Sequence, residues 1–522
     1  MSRRASSAIF CTILLVIVVA VYAPAGQFQF IRLDDSEMLV ENPLLHPATA
    51  SSLAQFWFGP REQLYTPLTY SLWWCVEWLS HDAAGAGIFH VVKIVLHAAA
   101  AALVFSILLR CIPGAPGLAA FGGAIVFALH PMQVESVAWI AETNNVLAGV
   151  FSLAAIRVWL AFADGSGVRR WVWYWLASAL FLLALFSKPT AVVVPLIAAI
   201  LDVGIIRRPT GRVILSLIPW LGLAVMFGFI ARQVQPAIGA PLARRPLIAL
   251  DALGFYVRHI FWPSHLTVDD ARTVRRIGLS RQWIVNAIIP VAIAILLWRT
   301  WRRHREPAVA AAIALAAVLP VLGLIPFSQQ AISTVADRYV YLMMLGPALL
   351  VAWVLQRIAA PAAAIITVLL VGLLVWLTSN QLQTWRNTST LAAHTLAIDS
   401  GSVLGNDMAA LQLDHAGQAQ QAIPFFNKAL ARDPDFPGLH YDLGNALARL
   451  GKFNQAIGEY ELAIDQGGAQ VWRAMNNLGL AYVKIGRTDL AVEQFKRILL
   501  MDPQNESARR NLEILSAGVP SR

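Results

Sequence analysis

The chain has 522 residues, of which 40 are Lys or Arg and 30 are Asp or Glu, for a formal net charge of +10. Only 13% of residues are charged and 58% are hydrophobic, against about 25% and 45–50% in ordinary soluble domains, which excludes a string of soluble domains. Up to Asn380 there are 27 basic and 16 acidic residues, and beyond it 13 and 14, so an apolar, basic body precedes a neutral, polar tail. Basic residues in or between apolar runs orient membrane spans. A nucleic-acid binder gathers them on a soluble face instead, so no nucleic-acid partner is expected. Cys11, Cys75 and Cys111 show neither bridge nor zinc spacing.

In chain order, Arg3-Arg4 precede an apolar run, Ala8 to Tyr22, that ends in Ala23-Pro24-Ala25. These marks fit a cleaved signal peptide or, with the flanks included, a first span. In either case the segment after Gly26 lies outside. Ten further runs of membrane length follow: Ile88–Leu109, Leu118–Met132, Val137–Phe162, Trp171–Phe186, Ala191–Ile206, Val213–Ala231, Trp283–Trp301, Ala308–Phe327, Tyr339–Leu355 and Ala362–Thr378. With the first run they predict about 11 spans. Arg110, Arg169-Arg170, Arg207-Arg208-Arg212, Arg302-Arg303-Arg305 and Arg357 then share the side of Arg3-Arg4, which the positive-inside rule makes cytoplasmic. The reading is a multi-pass membrane protein with its N-terminus inside and its C-terminal part outside; only six Lys (Lys93, Lys188, Lys428, Lys452, Lys484 and Lys496) beside abundant Ala point to a GC-rich bacterial genome, and so to an inner membrane with a periplasmic C-terminal part. Leu247–Trp262 breaks this alternation if it crosses, so it is expected to lie at the outer surface, with Tyr256 and Trp262 at the interface.

Beyond Asn380 a repeat appears. Ala422, Ala456 and Ala491 recur at intervals of 34 and 35 residues, Gly417, Gly451 and Gly486 stand five residues before them, and Phe426, Tyr460 and Phe495 four residues after. Asp433-Pro434 and Asp502-Pro503 close the first and third units. This is the tetratricopeptide pattern. The fold class is therefore all-α, a polytopic helical membrane module followed by an α-solenoid. The expected division is 1–380 membrane module, 381–402 linker, 403–505 three repeats, and 506–522 capping helix and tail.

Several polar groups fall on the predicted outer side. The first outer loop carries Asp34, Asp35 and Glu37, and the second carries His130 and Glu135 at the mouth of a helix hairpin. On the second span His90, Lys93 and His97 share one helical face. Ionisable groups at such depth are functional by default. Lys188 stands at an outer turn, and Asp337 and Arg338 precede a span. The long outer loop from Arg232 to Gln282 adds Arg272 and Arg275, which suit a donor phosphate or anionic lipid headgroups. Trp57, Trp73 and Trp74 are candidates for stacking on a sugar. A carboxylate base with cations over an anionic leaving group is what glycosyl transfer from a lipid-linked phosphate sugar requires.

The segments Asp34 to Pro43, Tyr65-Thr66-Pro67-Leu68-Thr69, Phe89-His90 with His97, His130 to Val146, Phe186 to Thr190, Leu201-Asp202 and Gly323 to Leu342 resemble the TMTC and bacterial TMTC-like proteins. These are GT-C-fold, protein O-mannosyltransferase-like glycosyltransferases that carry tetratricopeptide repeats. The resemblance implies a polyprenyl-phosphate sugar as donor, an acceptor hydroxyl on a polypeptide held by the repeats, contact with membrane lipids, and catalysis outside. It carries the base onto Asp34 or Asp35, with Asp34 favoured, and an acceptor-positioning role onto Glu135. Lys188, Arg338, His90, Lys93, His97, Arg272 and Arg275 then serve the donor phosphate, with Glu37, His130, Tyr65 and Asp337 as further polar groups of the site. No resident cofactor is certain, and a divalent cation is compatible with the acids. Relatives often have Glu-Arg-Lys-Asp or Glu-Arg-Lys-Asn where this chain has Glu142-Thr143-Asn144-Asn145, so one basic contact is missing. The implied activity is inverting transfer of a sugar, mannose in the relatives, to Ser or Thr of exported proteins. The alternatives are transfer to a glycan or lipid, transfer of a whole oligosaccharide, and a non-catalytic membrane scaffold for envelope assembly.

Overall fold

The computed structural model describes residues 3–61, 64–81, 85–112, 117–235, 240–270, 272–274, 282–436, 438–467 and 471–516. Among them every regular element is helical, and the chain divides into two units, Met1–Asn387 and Thr388–Arg522.

The first unit opens with α1 (Arg3–Tyr22), a first loop carrying the short α2 (Ala50–Phe58) and α3 (Pro67–Leu79), and then α4 (Ala86–Cys111). α5 (Gly117–Leu129) bends into α6 (Val134–Ala138), and after a turn at Ile140–Glu142 the chain continues through α7 (Thr143–Asp164), α8 (Gly167–Ser187) and α9 (Val194–Leu201). α10 (Thr210–Val234), α11 (Arg245–Phe261), α12 (Gln282–Thr300), α13 (Glu306–Val318), α14 (Leu345–Leu355) and α15 (Ala360–Thr384) complete it. Among the described residues eight helices are long and apolar enough to cross a membrane, and the bent pair Gly117–Leu129 with Pro131–Ala138 makes a ninth candidate. The two remaining expected runs, Ala308–Phe327 and Tyr339–Leu355, contain the shorter apolar helices Glu306–Val321 and Leu345–Leu355. This unit is thus a multi-pass membrane protein, and all eleven predicted runs are helical over at least part of their length.

Small residues let its helices approach, as is usual where lipid gives no hydrophobic drive to association. A Cβ on Gly123 of α5 would lie 2.3 Å from the Ala348 carbonyl oxygen of α14, and one on Gly346 of α14 would lie 2.4 Å from that of Ala310 on α13. α11 is a 17-residue helix that buries Ile248, Asp251, Ala252 and Phe255. Trp262 is exposed as expected, but Tyr256 is fully buried. The reason is polar: its hydroxyl accepts a hydrogen bond from the Ala336 amide, at 3.3 Å.

The second unit runs α16 (Thr388–Ile398), α17 (Val403–His415), α18 (Ala419–Arg432), α19 (Leu439–Arg449), α20 (Phe453–Gln466), α21 (Val471–Lys484), α22 (Thr488–Met501) and α23 (Glu506–Ser516). The repeat residues explain themselves in this geometry. Gly417, Gly451 and Gly486 have φ of 77°, 72° and 81° and so end α17, α19 and α21 in the left-handed region, where glycine is favoured. Ala422, Ala456 and Ala491 are wholly buried, and a Cβ on Gly444 would meet the Tyr460 ring at 2.6 Å, as one on Gly479 would meet Phe495 at 2.7 Å. Residues 381–402 are largely helical: α15 continues through Thr384, and α16 occupies Thr388–Ile398, with Leu391, Ala392 and Thr395 buried.

Candidate functional site

The site forms where the helical backbone breaks between α6 and α7. A break inside an apolar body leaves peptide groups to be satisfied by side chains, and here charged ones do it. The Trp139 carbonyl accepts from the ammonium of Lys93 on α4, and the Ala141 amide donates to Asp35 Oδ1 at 2.7 Å. Asp35 Oδ2 accepts from the Ile31 amide at 2.8 Å. Asp35 therefore clasps the first loop to the 139–142 turn with both oxygens engaged and no exposed surface. Burial pushes its carboxyl up to about 7, against the pull of the two amides and of Lys93. Asp34 and Glu37, its neighbours in the loop, are exposed.

Immediately after this clasp stands Glu142, at the first turn of α7. Its carboxylate is 3.3 Å from Lys188 Nζ and 3.1 Å from Arg338 Nε, and accepts from the Asn145 amide group. Lys188 also donates to Asn144 Oδ1 at 3.1 Å. Arg338 reaches Glu135 Oε1 at 2.6 Å, and its guanidinium lies over Trp139 at 5.4 Å and Tyr339 at 5.2 Å. Asp337, next to it, is buried with Oδ1 unpartnered, and burial together with the charges of Asp270 and Glu135 holds its carboxyl well above the usual range. Carboxylates thus hold two cations side by side in a low-dielectric setting, where charge acts strongly.

These two cations line a cleft. Asn145, Ser152, Thr190 and Tyr339 line it with them, together with the apolar Ala148, Gly149, Ala191, Ala317, Val321 and Leu342. The cleft has a floor: a Cβ on Gly149 would lie 2.3 Å from the Tyr341 ring, and the Tyr341 hydroxyl donates to His97 Nδ1 at 2.9 Å, whose Nε2 donates to the Ala128 carbonyl at 2.9 Å. The geometry can hold an anionic group on Lys188 and Arg338 with an apolar substituent beyond it. Among the described residues no group of three or more His, Cys, Asp or Glu is arranged to hold a metal ion.

The structure therefore brings together Asp35, Lys93, Glu135, Lys188 and Arg338. It places other candidates elsewhere. His97 is buried with both ring nitrogens engaged. His90 is buried beside Phe28 with neither ring nitrogen paired. His130 Nδ1 accepts from the Met132 amide, and Nε2 donates to the Ile260 carbonyl at 3.0 Å. Tyr65 donates to the Trp57 carbonyl at 3.1 Å. Arg272 is turned onto Asp251, with Nε at 3.2 Å, and Arg275 lies outside the described residues. Trp73 is buried in the helix packing and presents no stacking face, since only 1% of it is exposed. Trp74 Nε1 donates to the Thr49 carbonyl, and Trp57 Nε1 to Ser71 Oγ. The residue that sequence reasoning leaves without a role is Glu142, the brace of both cations. Its signal was an acid opening an apolar span.

Comparison with known proteins agrees with this architecture. Residues 415–478 and 473–505 match tetratricopeptide repeat models. A 141-residue stretch, 25% of the chain, is 32% identical to "Protein O-mannosyl-transferase F38B6.6" of Caenorhabditis elegans and spans 20% of it. A second stretch of 87 residues, 17% of the chain, is 35% identical to the tetratricopeptide repeat domain-containing protein PYG7, chloroplastic, of Arabidopsis thaliana and spans 29% of it. The chain is a helical membrane protein with C-terminal tetratricopeptide repeats, similar to a protein O-mannosyl-transferase, as the TMTC-like resemblance of its sequence implies.

Proposed function

We propose that the protein is an inverting glycosyltransferase that moves a sugar from a polyprenyl phosphate to Ser or Thr of an exported polypeptide at the outer membrane face. The observation that carries the reading is the Lys188–Glu142–Arg338 cluster, whose two cations line a cleft together with apolar side chains. A lipid-linked phosphate likewise joins a charged group to an apolar one. In the reaction the acceptor oxygen bonds to the anomeric carbon while the carbon–phosphate oxygen bond breaks. The hydroxyl proton passes to a carboxylate, and the departing phosphate keeps the electron pair. Exposed Asp34 is the base in this reading, because an acceptor can approach it. Buried Asp35, saturated by two amides, holds Asp34 and the first loop against the 139–142 turn. Glu135 holds Arg338. Lys188 and Arg338 stabilise the charge that develops on phosphate.

The similarity to a protein O-mannosyl-transferase supports transfer to protein, and mannose is the sugar to test first. The repeats present an extended surface suited to a polypeptide. Purified protein, a polyprenyl-phosphate sugar and a Ser/Thr peptide constitute the test, with Asp34→Asn and Asp35→Asn assayed separately. Loss of transfer in at least one variant is expected. Full transfer by both would remove the assignment.

A further inference from the structure

Arg338 needs more than its carboxylate partners, because a guanidinium is only as well placed as the loop that carries it. The loop 333–338 contains no long helix, and its own contacts are short-range: Ser333 Oγ donates to the Val335 carbonyl at 2.7 Å and accepts from the Val335 amide at 3.3 Å. Ser136 Oγ donates to the Arg338 carbonyl at 3.3 Å, and two further contacts hang the loop from α11 and its partner Arg272. The Arg272 carbonyl accepts from both the amide and the hydroxyl of Thr334, at 2.9 and 3.0 Å. The Tyr256 hydroxyl on α11 accepts from the Ala336 amide at 3.3 Å.

The first leads to a buried carboxylate on the helix that supplies the second. Asp251, on the same helix as Tyr256, is fully buried. Its Oδ2 accepts from the Arg272 guanidinium, and its Oδ1 accepts from Asn286 Nδ2 on α12 at 3.0 Å. α11 and α12 meet there so closely that a Cβ on Gly254 would lie 1.8 Å from the Asn286 carbonyl oxygen. Bonds to a buried charge are stronger than neutral ones and costly to leave unmade. α11 thus holds the buried carboxylate to which the first anchor, Arg272, is fixed.

We infer that Asp251, through Arg272 and together with Tyr256, is a positioning residue that fixes the loop of Arg338, so that α11 serves as a strut for the cation cluster. Arg272 acts here by its carbonyl on Thr334, with its guanidinium spent on Asp251. The inference rests on the proposed donor site only in what Arg338 is positioned for.

The test uses the full chain in lipid nanodiscs, with amide hydrogen exchange over residues 333–341 and binding of a short-chain polyprenyl monophosphate as separate readouts. Asp251→Asn and Thr334→Val are expected to speed exchange there by about tenfold or more and to weaken phosphate binding, with exchange in α19–α22 unchanged. Thr334→Ser, which keeps the hydroxyl, is expected to restore both, which a loss of packing would not. Tyr256→Phe tests the second anchor alone and is expected to speed exchange at Ala336. Unchanged exchange over 333–341 in both Asp251→Asn and Thr334→Val overturns the strut. Wild-type protein that binds no polyprenyl monophosphate, with exchange still raised in the variants, overturns the donor reading and leaves the strut standing.

Discussion

Glu142 and Arg338 lie 3.1 Å apart, with Lys188 3.3 Å from the same carboxylate, so one acid at the start of α7 holds two cations that come from distant turns. Both cations are nearly buried, at 11–12% side-chain exposure. Removing one partner of a buried charge network strands the others and costs about 3 kcal/mol or more. Glu142→Gln is therefore expected to lower thermal stability by about that amount and to cut transfer at least about tenfold through misplaced cations. Calorimetry in nanodiscs and a transfer assay check the two effects. A variant with wild-type melting and wild-type transfer would show that Glu142 braces nothing.

Asp35 gives a pH dependence of opposite sign for stability and for activity. Its carboxyl is raised to about 7 in the folded chain, by burial above all, whereas an unfolded Asp titrates near 3.9. The ionised form is thus penalised by folding, and the stability associated with the neutral form is lost as pH rises from about 4 through about 7. Two amides, however, need two acceptor oxygens, and only the carboxylate offers both without a proton in the way. Transfer is expected to rise as pH climbs through about 7, while melting temperature falls over the same window relative to Asp35→Asn. In Asp35→Asn both slopes near pH 7 should flatten. The measurement is a pair of pH profiles, one of transfer and one of melting.

The repeats were legible because their signals are local: glycines that must take positive φ, and glycine–aromatic pairs such as Gly444 with Tyr460, all fall within one period. The spans were legible from length and apolarity. The site was legible only in part. Lys188, Arg338 and Glu135 stand out as ionisable groups beside spans, but Glu142 acquires its meaning from partners 46 residues away, at Lys188, and far along the chain, at Arg338. Asp35 looks equivalent to Asp34 in the sequence, and only burial and two amides separate them. His97 misleads for the converse reason: a histidine deep in a span reads as functional, while here it secures the Tyr341 floor of the cleft.

That floor is itself testable. Gly149 leaves room for the Tyr341 ring, and a Cβ there would lie 2.3 Å from it. Gly149→Val is expected to push the ring aside, fill the cleft and abolish donor binding, with an overpacking cost of about 1–3 kcal/mol. Tyr341→Phe keeps the ring and loses only the bond to His97, so it should retain most binding. Equal loss in the two variants would mean that cleft volume is not what matters.

In the second unit Asp407 on α17 is buried, with 8% exposure, and its Oδ1 has no partner. Desolvation raises its carboxyl to about 7. Because burial disfavours the charge, the neutral acid is the form the fold accepts, and the associated stability is lost as pH rises through about 7. Hydrogen exchange over α17–α19 in the full chain is therefore expected to quicken between pH 6 and pH 8 beyond its intrinsic chemical rate. Asp407→Asn, neutral at every pH and close in volume, should remove that excess and slow opening at pH 8. Because α17 begins the solenoid and repeats stabilise their neighbours, the effect should fade toward α22. Excess opening of the same size in the variant would place its cause elsewhere in the repeats.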